Sequence, residues 1–247
     1  MSEDGFRRVR ARLERLISVP QPNEVYRAKR RSIFVVEDAT LGRLAIKEMR
    51  HEGAMRRLWF RYPRYRHATR EFRVGSAFEA LGGQTPNFLG AALERNGFGL
   101  ERVLLFIRWL DGVETLTDYL ARLDPLPSDA FERLADALIA AARLGLVHGR
   151  HSSENILVDT SGDQPVFYAI DFAFSRLGRG FDANGFVRDI GRIAHWLWHE
   201  QVLDATQMRA LFESVARRGW QTVSERTLRI SQMNEELRRW QVVLEKG

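Results

Sequence analysis

The stretch "VHGRHSSENILVD", residues 147–159, gathers most of the chemistry-bearing side chains of this chain in one place. His148, a glycine, Arg150, four further residues and then Asn155 precede an apolar run. A loop of this build suggests phosphoryl transfer, which depends on positioning and charge more than on covalent chemistry by the protein. The place where such a loop needs a carboxylate is held by Arg150, whose guanidinium stays charged near neutral pH and cannot accept a proton. The nearest groups able to act as a displaced base are His151 and Glu154. Further along, "AIDFAF" places Asp171 after an apolar strand, and "VRDIGRIAHWL" places Asp189 in a helical stretch. Upstream, Lys47 lies in "GRLAIK" and Glu71 in "ATREFRVGSAF".

Elements of two kinds must hold these residues. In the first half, "EVYRA", "SIFVVED" and "GRLAIKEM" read as strands in two successive hairpins. A helix follows, with Phe72, Ala77, Phe78 and Leu81 on one face and Gly82-Gly83 ending it. Another hairpin turns at Asn96-Gly97 and ends near "RWLDG". The second half is helical. Phe131, Leu134, Ala135, Leu138, Ile139 and Ala142 mark an amphipathic helix that runs into the quoted loop. The short strands "NILVD" and "VFYAID" flank the turn "SGDQ", and three more helices follow. The pattern changes at "RWLDGVETL", which divides the chain into residues 1–110 and 111–247. An N-terminal segment, residues 6–18, carries apolar residues at helical spacing and reads as an amphipathic helix against the core or a membrane surface, its narrow apolar face favouring the core.

Composition narrows the setting. The 247 residues are 45% apolar, enough for a real core, and contain no cysteine, which excludes disulfides and thiolate metal sites. No run approaches the roughly 20 apolar residues that span a bilayer, and residues 1–16 lack a signal-peptide pattern, so a cytoplasmic location is expected. The net charge is +6, and residues 50–73 are dense in Arg with Trp59, Phe60, Tyr62 and Tyr65 between them. This stretch suits a polyanion such as anionic lipid or a phosphorylated glycan, or else is a solvated basic face. No zinc-finger, RNA-recognition or helix-turn-helix signature accompanies it, which argues against nucleic acid.

Taken in order, a strand Lys, a helix Glu, a His-to-Asn loop, a strand-end Asp and a helix Asp resemble the protein-kinase layout. The resemblance implies an α+β, two-lobed fold, with an antiparallel N-terminal sheet bearing one helix and a mainly helical C-terminal lobe. It implies that Lys47, held by Glu71, positions ATP, that the segment Arg108, Trp109 and Leu110 borders the nucleotide, and that Asn155 and Asp171 hold Mg²⁺. Within the loop 148–155 it gives His148 and Arg150 the catalytic positions, makes 171–173 the metal-binding turn, and has Asp189 brace the loop. The stretch "ATREFRVGSAFEALGGQTP", after an Arg-rich insertion at about 50–70, is similar to the lipopolysaccharide core kinases, which phosphorylate heptose or Kdo with ATP and magnesium. Over residues 25–200 that resemblance implies an anionic glycolipid or lipopolysaccharide core intermediate as partner. Peripheral contact with the cytoplasmic face of the inner membrane through residues 50–73 goes with it.

Besides Arg150, the chain departs from the pattern at Ser152, where kinases often place a Lys or His, and at Lys29–Arg31, where a phosphate-covering loop would carry Gly. Three readings stay open. The chain is a kinase with a displaced base, or a pseudokinase that binds nucleotide and serves as a regulator or scaffold. In the third, Arg150 pairs with Asp171 and nucleotide binding is lost.

Overall fold

A computed structural model of the chain describes residues 24–28, 31–50, 63–96, 99–123, 125–127 and 129–245. The expected helix at 6–18, the Lys29-Arg30 turn and most of the Arg-rich stretch lie outside them. The chain divides into two units. One contains residues 24–76 and 86–111, the other 77–85 and 112–245, within the described residues.

The first unit is built on five antiparallel strands: β1 (Glu24–Ala28), β2 (Arg31–Asp38), β3 (Gly42–Arg50), β4 (Phe88–Asn96) and β5 (Gly99–Arg108). Their spatial order is β1-β2-β3-β5-β4, so β3 lies at the centre. Asn96 pairs with Gly99, as the turn signal predicts. Side chains alternate across a strand, and β3 uses the alternation to sort its residues. Leu44 and Ile46 enter an apolar cluster with Val36, Leu41, Leu104 and Phe106. Lys47, next after Ile46, therefore takes the opposite face, where Val103 and Leu105 pack with Phe72 and Met49. Phe72 belongs to helix α1 (Pro63–Ala80) and meets Phe88 edge-on at 6.3 Å. Gly75, one turn on, lets the helix approach, because a Cβ there would sit 2.2 Å from the Phe88 ring. Leu81 departs from expectation: the helix ends at Ala80 and Leu81 is 53% exposed.

The second unit carries a three-stranded sheet, β6 (Val113–Thr115), β8 (Ile156–Asp159) and β9 (Val166–Ala169), in the order β6-β8-β9. The two-residue strands β7 (Leu146–Val147) and β10 (Arg176–Leu177) pair with each other. Its helices are α2 (Leu116–Arg122), α3 (Ala130–Arg143), α4 (Ala183–His199), α5 (Ala205–Gly219) and α6 (Val223–Glu245). All six residues of the amphipathic pattern on α3 are buried, together with Ile190, Ile193 and Leu197 of α4 and Leu211, Phe212 and Val215 of α5. Asp182 and Asp204 cap α4 and α5 by accepting from Gly185 N–H and Gln207 N–H. Helix α2 carries too few turns to show a period and went unread in the sequence; Thr115 caps it. No described helix is long and apolar enough to cross a membrane.

Candidate functional site

The site residues are best built from the backbone outward. In the first unit, Lys47 Nζ donates to both carboxylate oxygens of Glu71, at 2.7 and 3.0 Å. Both groups are buried, at 8% and 1% exposure. Burying two charges costs several kcal/mol per ion before their attraction offsets it.

The segment expected to border a nucleotide lies at the end of β5. Arg108 N–H donates to Asn87 O at 2.9 Å and Trp109 N–H to Arg43 O at 3.0 Å. The Arg43 guanidinium also stacks on the Trp109 ring, 5.3 Å from its centroid, and pairs with Asp111. Leu110 is half-buried.

In the second unit the loop after β7 is held chiefly through its main chain. Asp189, on α4, accepts His148 N–H at 2.6 Å and Gly149 N–H at 3.0 Å. Burial pushes its carboxyl up to about 6, against those two hydrogen bonds and the nearby Arg192 and Arg188. Arg192 donates to Gly149 O, and Ser175 Oγ donates to His148 O at 2.9 Å. Gly149 has φ +77, and a Cβ on it would stand 2.7 Å from Phe174 O, so only glycine fits this corner. Asn155 closes the loop by donating its amide Nδ2 to Arg150 O at 3.0 Å.

His148 turns inward. Its Nε2 lies 2.7 Å from Ile170 O, and its ring packs 5.8 Å from Phe172, which in turn meets Phe78 at 5.9 Å. His151 stacks on His148 with centroids 4.3 Å apart and planes 5° from parallel. It is buried, and its Nε2 has no hydrogen-bond partner among the described residues. Burial, His148 and Arg192 hold its pKa well below the ordinary histidine value, so it is neutral. Glu154 is exposed on the short 3₁₀ turn Ser153–Asn155. Under that turn the Thr117 hydroxyl donates to Glu200 at 2.8 Å and sits 2.7 Å from the buried Ser153 hydroxyl.

Asp171 follows β9 in a left-handed conformation, φ 59 and ψ 60, which a short polar side chain tolerates better than most. With the Asn155 nitrogen engaged on the backbone, that residue presents its amide oxygen as an acceptor. Asn155 and Asp171 thus offer one amide oxygen and one carboxylate. Among the described residues there is no cluster of three or more His, Cys, Asp or Glu side chains. An amide oxygen and a carboxylate are donor types that suit Mg²⁺, which commonly fills its shell with water and phosphate oxygens rather than with protein ligands.

Arg150 does not do what the third reading requires. Its guanidinium carbon lies over the Phe174 ring, 3.8 Å from the centroid, and among the described residues no ion pair joins it to Asp171. The residues that the sequence left unnoticed here are Phe174, Arg192, Ser175 and Thr117. Phe174, inside "AIDFAF", and Arg192, inside "VRDIGRIAHWL", lay in segments already singled out.

The family model described as "Lipopolysaccharide kinase (Kdo/WaaP) family" matches residues 24–179, well over half of the chain. No curated protein matches the chain in sequence. Among solved structures, WaaP in complex with acyl carrier protein is similar at TM-score 0.66 and 14% identity, covering 97% of each chain. The Rio2 kinase-ADP/Mg²⁺-phosphoaspartate complex from Chaetomium thermophilum is similar at TM-score 0.55 and 17% identity, over 93% of this chain and 72% of the other. The fold is protein-kinase-like, of α+β class.

Proposed function

Since the chain belongs to the lipopolysaccharide kinase (Kdo/WaaP) family, we propose that it binds ATP with magnesium and transfers a phosphoryl group to a sugar hydroxyl of an anionic envelope glycolipid. The observation that carries this reading is the buried Lys47–Glu71 pair. Glu71 fixes the Lys47 ammonium, which would otherwise be mobile and strongly hydrated, so that it can meet nucleotide phosphates. Asn155 and Asp171 are the residues that would hold Mg²⁺, which supplies charge neutralisation on the phosphate oxygens when bound. Asp189, Arg192 and Ser175 keep the loop in shape around them. Arg108, Trp109 and Leu110 would border the base, with two of their N–H groups already engaged by the chain itself.

Transfer without an aspartate at position 150 relies on positioning and charge, a general base being typically worth about 10²–10⁴-fold. Of the two displaced-base candidates, Glu154 is the exposed one; His151 is buried against His148. That burial and the Arg150 side chain favour a second reading, a pseudokinase that binds nucleotide and acts as a regulator or scaffold in envelope glycolipid synthesis. In either reading the protein would work at the cytoplasmic face of the inner membrane, with the Arg-rich stretch 50–73 as its contact.

Calorimetry of ATP binding with and without Mg²⁺, beside Asp171→Asn, tests the shared part. Magnesium-dependent binding that Asp171→Asn abolishes is the expected result. Binding that ignores magnesium, or none at all, would overturn it. Transfer of labelled phosphate to a lipopolysaccharide core fragment then separates kinase from pseudokinase.

A further inference from the structure

Arg150 has three properties that neither reading uses. Its main chain is immobilised, since Asn155 holds its carbonyl and Asp189 holds the two preceding N–H groups. Its guanidinium is also placed: the central carbon lies over the Phe174 ring, 3.8 Å from the centroid. Guanidinium N–H donors lie at the edges of the group, and among the described residues those of Arg150 make no hydrogen bond. Finally, the side chain is exposed and has no carboxylate partner among the described residues. Arg43, Arg122, Arg176 and Arg218 contrast with it, each pairing with an Asp or Glu.

An arginine held at its main chain, set over an aromatic ring and without a carboxylate partner among the described residues is suited to receive an anion. We propose that Arg150 binds an anionic phosphate group at the point of transfer, supplied by the nucleotide or by a phosphorylated acceptor. The identity of the anion rests on the phosphoryl-transfer reading; the anion site itself does not. A guanidinium offers two parallel donors that match phosphate oxygens, so Arg150 exchanges proton acceptance for charge stabilisation, the larger contribution in this chemistry.

The experiment uses the full chain and inorganic phosphate as probe, by calorimetry, alone and with ADP and Mg²⁺. Arg150→Met keeps an apolar stem over Phe174 and removes the charge; Arg150→Lys keeps the charge and removes the fork. Phosphate affinity should fall about tenfold or more in Arg150→Met and less in Arg150→Lys, a loss typical of one charge-assisted contact, with melting temperature and ADP affinity unchanged. ATP affinity falling in Arg150→Met while ADP affinity holds assigns the anion to the nucleotide. Mannose 6-phosphate binding, against mannose, falling while ATP affinity holds assigns it to the acceptor. If phosphate, ATP and mannose 6-phosphate all bind Arg150→Met as they bind wild type, the anion site is overturned although nucleotide binding stands. Arg150-dependent phosphate binding in a chain that takes no nucleotide would instead uphold the anion site and sink the kinase reading.

Discussion

The imidazoles of His148 and His151 lie stacked, 4.3 Å apart and 5° from parallel, in the interior of the second unit. His148 gives its Nε2 to a main-chain carbonyl, so both rings serve the shape of the loop. Protonating either would place a charge in a buried stack beside Arg192.

The pH dependence of stability follows. His151 is depressed by burial, so its contribution is present above the ordinary histidine value near 6.5 and is lost as pH falls. Asp189 is raised to about 6 by burial, so its contribution is full below 3.8 and lost as pH rises through about 6. The two oppose each other over the acid range. Replacing His151 by Phe should therefore make the variant gain on wild type in melting temperature as pH is lowered from 7 to 5. A constant difference across that range would contradict the buried neutral assignment.

Asp189→Asn should behave in the opposite sense. It removes the group that favours the folded state at low pH and leaves one of the two loop N–H groups without its carboxylate acceptor. The shift of the Asp189 carboxyl corresponds to about 3 kcal/mol between the two pH limits. The deficit of the variant against wild type should widen as pH falls from 7 to 4, measured by thermal melting.

Lys47 and Glu71 differ in what their loss exposes. Glu71→Ala takes the carboxylate from a buried ammonium and should cost about 3–5 kcal/mol, while the double change Lys47→Met with Glu71→Leu should restore most of that stability. Both should bind ATP more weakly than wild type. Denaturant melts beside nucleotide calorimetry read the two effects separately. A double variant as unstable as Glu71→Ala would show that the pair is needed for packing.

Gly149→Ala meets two obstacles at once: a positive φ and the Phe174 carbonyl. The strain should cost on the order of 1–3 kcal/mol in a melt. Since the loop must shift to accept the methyl group, magnesium-dependent nucleotide binding should weaken too.

The basic stretch 50–73 carries its own prediction. Binding to vesicles containing anionic lipid should fall as salt rises and when its arginines become glutamine. Salt-independent binding would point to apolar contact instead.

Much of this was readable in the sequence because it depends on period. The alternation in "GRLAIKEM" placed Lys47 on a strand, and the spacing through Ala142 placed α3. Strand-end and loop positions singled out Asn155 and Asp171 by order. The side chain of Arg150, by contrast, was not legible. Its partner is an aromatic face 24 residues away, and stacking leaves no mark on spacing. The same is true of His151, whose polarity suggested a base and whose surroundings make it part of the core. Helix α2 was missed because its seven residues make too few turns to declare a face.

Asn155 grips the carbonyl of residue 150 and never its side chain. Loop architecture and the chemical identity of that position are thus separable. Evolution could exchange the side chain there without redrawing the scaffold, and a laboratory can do the same. Residue 150 is an interchangeable socket, and a panel of amino acids installed there would compare chemistries on one unchanged frame.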